Sequence, residues 1–414
     1  MNKNLIALAV SAAIAMPAMA DVTVGPFSIY GTAQSAIENV NIAFAAGRSN
    51  DNTTDTSKVS QTRLMDQTSK LGFKIAHDLG GGMTGLAQVE SRIYLGNGGN
   101  NTQDKAEVGS RNTFVGLGSS EWGTVRLGRY DNAYKLSLKA AAPFIYNNIN
   151  DASAEYGDKN IMTRLGGRQG DMVAYESPKV NGFQALVSYN MGKDSDNGLG
   201  AGDYTASAAG TKVTATSQLP GTLMPQTAMS LAYAQGPFTF AYGYTNISNA
   251  AWQLDGSSST KAAFNNTAGA SFALSAYQLG GQYTFGEYSV GGIYEVTTSS
   301  QQGVSATKDF SQSQASYALI GAYKSGPNEF HFRYAVASDV TGNTGTTTNT
   351  LKTDTGAIQY SLMYAYDINK SVKFVSSYTN LANAKNAKFT SASGFAVDTG
   401  ATLSQIAVGL AATF

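Results

Sequence analysis

The sequence predicts an all-β chain: a transmembrane antiparallel β-barrel of roughly 16 strands, with short turns at one end and long loops at the other. Three observations predict it. Apolar and polar residues alternate with period two along most of the chain, and helical i, i+3, i+4 stripes are scarce. Short turns alternate with long connections rich in Asn, Ser, Thr and Gly, such as TGNTGTTTNT at 341–350, an asymmetry that a sandwich in water does not need. The terminal stretch SQIAVGLAATF keeps Ile406, Val408, Leu410, Ala412 and Phe414 on one parity up to the last residue.

Residues 1–20, MNKNLIALAVSAAIAMPAMA, combine an early cation (Lys3), an apolar run and a small-x-small end before Asp21. This is the pattern of a secretory signal peptide; the apolar run is short of the roughly 20 residues a spanning helix requires. The barrel is expected to occupy 21–414. With 0 cysteines there is neither a disulfide framework nor a thiolate metal site. His77 and His331 leave little material for zinc or for Ser-His chemistry, and no cofactor is expected. Lys plus Arg and Asp plus Glu number 28 each, which gives no electrostatic case for nucleic acid. Glycine at 45 and tyrosine at 23, against 8 prolines, suit strands and turns.

In chain order, strands are expected at 22–37, 62–78, 83–95, 108–118, 121–130, 170–177, 181–191 and 226–235. They continue at 237–246, 271–285, 287–297, 311–323, 328–338, 355–367, 370–380 and 402–414. Alternation carries each of them. In LGFKIAHD, Leu71, Phe73 and Ile75 share one face and Lys70, Lys74 and Ala76 the other; Asp78-Leu79-Gly80-Gly81-Gly82 then turns the chain. Later hairpins turn at Gln235-Gly236-Pro237, Gly286-Glu287, Ser325-Gly326-Pro327 and Asp367-Ile368-Asn369.

A charged side chain facing lipid at mid-bilayer costs about 2–4 kcal/mol, so strand charges belong on the lumen parity. Lys70, Lys74, Glu90, Arg92, Arg126, Glu295, Arg333 and Lys373 obey this, opposite Tyr283, Phe330, Phe332, Tyr334, Tyr360, Leu362, Tyr364, Phe374 and Tyr378. Arg111 and Arg129 share parity with apolar neighbours; both sit near strand ends, where charge is tolerated or a bulge resets the alternation. Tyrosines suit interfacial girdles, with ring in lipid and hydroxyl among headgroups. A closed barrel has no edge, so QIAVGLAATF must pair with the first strand, VTVGPFSIYGTAQSAIENV. Sixteen strands enclose a lumen too wide for side chains to fill, and a pore follows.

The start DVTVGPFSIYGTAQ, the block SKLGFKIAHDLGGGMTGLAQVES, the block SRNTFVGLGSSEWGTVRLGRYDNAY, AYESPKVNGFQALVSYNMG and the terminal Phe414 together resemble the general (diffusion) porins of Gram-negative bacteria, of the beta-proteobacterial type. The resemblance implies an outer-membrane homotrimer whose third loop folds into the lumen, with Phe414 as the signal for the barrel assembly machinery. Segment 131–169 stands where that loop belongs. Asp151, Glu155 and Asp158 would supply its acids, facing a basic cluster of Lys70, Arg92, Arg111, Arg126 and Arg168. Opposed charges across a narrow opening make a transverse field; the same charges as plain salt bridges would merely pin the loop. Lys70 stands where arginine is common in the family, and His77 beside its turn is read as a surface residue.

The expected function is passive diffusion of ions and small hydrophilic solutes, with weak anion preference. A substrate-specific channel would instead line the pore with aromatics, and Tyr94 lies on the lumen parity. A barrel enzyme lacks a serine and acid evident beside His331, and a secreted adhesin would be soluble.

Overall fold

The computed structural model describes residues 22–44, 58–95, 108–141, 160–192, 224–248, 254, 271–302, 309–343, 353–390 and 397–414. The first half contains β1 (Val22–Val24), β2 (Phe27–Ala43), β3 (Lys58–Asp66), β4 (Lys70–Gly80), β5 (Met83–Arg92), β6 (Thr113–Ser119) and β7 (Gly123–Asp131). Helix α1 (Ala133–Ala141) is followed by β8 (Arg168–Glu176), β9 (Phe183–Asn190), β10 (Gln226–Gln235) and β11 (Phe238–Ser248). The second half contains β12 (Ser271–Phe285), β13 (Tyr288–Gln302), β14 (Phe310–Ser325), β15 (Asn328–Ala337) and β16 (Thr341–Asn343). The chain ends with β17 (Ala357–Asp367), β18 (Val372–Asn383) and β19 (Thr402–Thr413).

These 19 segments form one antiparallel sheet that closes on itself with 16 wall positions. β3 and β4 both pair with β2 and act as one interrupted strand. β15 and β16 likewise both pair with β14, and β1 folds back onto β2. The sixteen-strand expectation therefore holds, with local corrections. The first strand is a tight hairpin at Gly25-Pro26 rather than one run, and the second is broken where Thr68 takes φ 69°. Arg111 lies in the connection before β6, so its parity conflict disappears. At Arg129 the register shifts between Gly128 and Tyr130; Leu127 is 50% exposed while Asp131, of the same nominal parity, is 1% exposed. The alternation does reset there. Strands also run farther into the expected loops, β2 to Ala43 and β13 to Gln302, because their ends keep pairing, β2 with β3 and β19 and β13 with β12.

The wall is inside-out relative to a soluble sandwich. On β14, Gln312, Gln314, Ser316, Ala318 and Ile320 are buried, whereas Tyr317 and Leu319 are exposed. Outward rings touch in a chain above the short turns, Phe238–Tyr283–Phe285–Tyr288–Tyr323–Phe330–Tyr364, with neighbouring centroids 4.7–6.3 Å apart. A second set, Tyr277–Tyr294–Tyr317 and Tyr360–Tyr378, lies nearer the loop end. Two aromatic girdles flanking Leu279, Leu319 and Leu362 are what an apolar membrane band requires. The turns fit too: Gly236, at φ 59°, precedes Pro237 in a two-residue loop, the composition of a type II′ turn.

The seam joins β19 to β2 from Thr402↔Ala43 to Thr413↔Thr32. The Gly31 N–H donates to the Phe414 carbonyl at 2.8 Å, and Phe414 N–H returns a bond to Gly31 at 3.1 Å. Gly409 faces β2 with no room for a side chain: a Cβ there would lie 2.3 Å from the Ser35 carbonyl oxygen and 2.7 Å from Ala36 Cβ. Gly409→Leu is expected to push the closing strands apart at a cost of about 1–3 kcal/mol. Heat-modifiable gel migration and trypsin resistance should both fall; an unchanged folded fraction would count against this seam.

Candidate functional site

One side of the lumen, from β2 to β8, carries a ladder of paired charges. Glu90 is its hub. Arg111 Nε donates to Glu90 Oε1 at 2.7 Å, the Tyr30 hydroxyl donates to Oε2 at 2.9 Å, and Lys70 Nζ lies 3.7 Å away. Register explains the convergence, since Tyr30 is opposite Gly72 and Gly72 opposite Glu90. Arg92 pairs with Asp66 at 3.6 Å, Arg126 with Glu176 at 2.7 Å and Arg168 with Asp131 at 3.2 Å. Asp131 also holds Lys135 at 3.0 Å and Lys139 at 3.4 Å, both reaching back from α1. With Lys74 and Arg129 added, the cations named here outnumber their carboxylates, and β2 and β3 carry one further, balanced pair, Glu38 with Arg63.

Lys70, Arg92, Arg111, Arg126 and Arg168 thus do come together on one wall, each paired with a wall carboxylate. Asp151, Glu155 and Asp158 lie outside the described residues. Of these wall partners, Asp66, Asp131 and Glu176 were not expected from the sequence. Glu176 could have been found, since it pairs with Thr124, diagonal to Arg126. Asp131 stands next to the register shift, where alternation stops being informative.

Rings are interleaved with these cations. Lys74 Nζ lies 5.0 Å and Lys70 Nζ 6.0 Å from the Tyr30 centroid. The Arg126 guanidinium is 5.0 Å from Tyr130 and 5.6 Å from Phe114, and that of Arg92 is 5.1 Å from Tyr94.

The facing wall holds the connection between β7 and β8. Tyr134 and Leu138 of α1 are buried, Ala133 N–H donates to Ser188 Oγ at 3.0 Å, and Gln278 Nε2 donates to the Tyr134 carbonyl at 2.6 Å. The returning arm is gripped as well. Thr163 N–H donates to Glu295 Oε2 at 2.7 Å, and Arg164 donates to Gln314 Oε1 and the Leu254 carbonyl, each at 2.8 Å. Gln226 Nε2 donates to the Leu165 carbonyl at 3.2 Å. Polar side chains on the inner faces of β9, β10, β12, β13 and β14 therefore satisfy backbone and guanidinium groups that would otherwise be buried unpaired. Both arms of the connection lie against the inner wall.

A second cluster stands near the short-turn end. His331 Nε2 lies 2.6 Å from Glu329 Oε1, Lys373 donates to Glu329 Oε2 at 3.0 Å, and Asp367 is 3.3 Å from Lys373. His331 therefore does have an acidic neighbour, two residues away on the same strand face; its cross-strand neighbours are Ala322 and Met363. His77 is exposed beside its turn.

A family profile described as Gram-negative porin matches residues 7–387. Major outer membrane protein P.IA of Neisseria meningitidis serogroup A / serotype 4A is 29% identical over 231 residues, 52% of this chain and 53% of that protein. An outer membrane porin protein of Bordetella pertussis is 27% identical over 267 residues, 62% of each chain. The chain spans about half the length of the first curated relatives it matches. Among solved structures, the anion-selective porin from Comamonas acidovorans superposes with a TM-score of 0.65 at 17% identity, covering 94% of this chain and 99% of that one. The trimer form of OmpT from Vibrio cholerae gives a TM-score of 0.60 at 12% identity, covering 94% and 99%.

Proposed function

The chain belongs to the Gram-negative porin family, and on that premise we propose that it forms a water-filled channel in the outer membrane for passive diffusion of ions and small hydrophilic solutes. The observation that carries this is the closed ring itself: sixteen wall positions, apolar residues and tyrosine girdles outward, amides, hydroxyls and charges inward. A barrel of that strand number leaves an aqueous lumen. The channel works without cofactor or catalysis, and its relatives' description as outer membrane proteins supports the location.

The connection between β7 and β8 is the constricting element of this reading. It is held to the inner wall opposite the charge ladder, so a permeating ion passes between the two. The ladder's excess of cations favours anions by raising their local concentration. Asp151, Glu155 and Asp158 are assigned to the same constriction from their place in 131–169. A homotrimer, export through the leader at 1–20 and recognition of Phe414 by the assembly machinery complete the reading; the trimer form of a structural neighbour supports the first.

Planar-bilayer recording tests it. Folded protein should insert with stepwise conductance, three levels to an insertion event. Silent bilayers from correctly folded protein would refute the channel.

A further inference from the structure

We propose that the lumen wall between β2 and β8 is a recognition track for planar aromatic anions, aryl carboxylates above all. The inference rests on the channel reading and goes beyond simple anion preference. A filter that only enriches anions needs cations alone. This wall couples cations to rings at Tyr30, at Tyr94 and at Phe114 with Tyr130, and the first and last of these are two different constructions.

In the first, the Tyr30 ring is held at three points. Its hydroxyl donates to Glu90 at 2.9 Å, and Lys74 and Lys70 stand 5.0 and 6.0 Å from its centroid. Gly72 is the floor beneath it: a Cβ there would fall 2.2 Å from Tyr30 Cζ, so the ring packs on bare backbone. One face of Tyr30 is spent on the wall, and the half-buried ring is otherwise directed to the lumen. In the second, Phe114 and Tyr130 stand edge to face, centroids 5.2 Å apart at 84°, with Arg126 against both rings.

An aryl carboxylate carries the complement of both constructions. A guanidinium stacked on a ring keeps its N–H edge for a carboxylate, and the adjoining ring receives the aryl group by offset or edge contact. An aliphatic carboxylate engages only the cation, and a neutral arene only the ring. The half-neutralised charge suits a channel as well. Glu90 and Glu176 temper the cations, so a solute is held briefly rather than trapped.

Benzoate and cyclohexanecarboxylate, equal in charge and close in size, separate ring recognition from charge. Each is added to the wild-type channel conducting KCl, and residence is read from current interruptions. Benzoate should dwell about fivefold longer than cyclohexanecarboxylate, the size of one exposed cation–π contact. Tyr30→Leu and Phe114→Leu, singly and together, should bring that ratio toward one; using both single variants keeps the test alive if one fails to fold. Equal dwell times for the two acids in the open wild-type channel would overturn the track and leave the porin reading standing. So would a ratio that survives in the double variant. Silent bilayers would overturn both.

Discussion

Leu319→Arg is expected to destabilise the membrane-embedded barrel by about 2–4 kcal/mol, whereas Ala322→Arg, three residues along the same strand, should cost less than about 1 kcal/mol. Leu319 is 58% exposed, lies opposite Tyr334 and Gly292, and sits between Tyr317 of one girdle and Tyr323 of the other. In lipid its surroundings offer no partner for a guanidinium. Ala322 shares the lumen parity of Lys324, a cation the strand already carries. Reversible urea unfolding from phospholipid vesicles measures both. Equal losses would mean that the outward face is not in hydrocarbon.

The second large effect concerns ion preference. In a tenfold KCl gradient an ideally selective channel reaches roughly 59 mV, positive or negative. The wild type should sit on the anion side of zero. Arg111→Ala combined with Arg126→Ala should move the reversal potential toward the cation side by on the order of 10 mV or more. The two arginines are the nearest cations to Glu90 and Glu176, at 2.7 Å in each case, so their removal bares two carboxylates as well as deleting two positive charges. Lys179→Ala is the control, an exposed cation in the short turn after β8. It should leave the potential in place. A double variant indistinguishable from wild type would remove this wall from the selectivity filter.

Both effects rest on features legible in the sequence, because a strand's period of two is simple arithmetic and lipid punishes exceptions. Lys70, Arg92 and Arg126 are on the lumen parity for that reason, and the seam of β19 with β2 follows from the absence of any tolerated edge. What lies inside the lumen obeys no such rule. Helix α1 spans 9 residues, and its signs, Tyr134 with Leu138 and Lys135 with Lys139 at i, i+4, are too short a stripe to stand out. The break at Thr68 is a backbone event without a distinctive residue, and the register shift before Tyr130 is marked only by Gly128, at φ 136°, one glycine among 45. Carboxylates next to such events, Asp66 and Asp131, lose their parity label and with it their visibility. Glu329 was different: two residues from His331 on one strand, its contact was available from spacing alone.

The central claim, lipid outside and water within, has one direct measurement. The chain has 0 cysteines, so single cysteines can be placed along β4 without background. Lys70→Cys, Lys74→Cys and Ala76→Cys should react with a charged, membrane-impermeant thiol reagent in vesicles and lower the channel current as they do. Leu71→Cys, Phe73→Cys and Ile75→Cys should stay unmodified. Labelling of the second set with protection of the first, or labelling without regard to parity, would contradict the account.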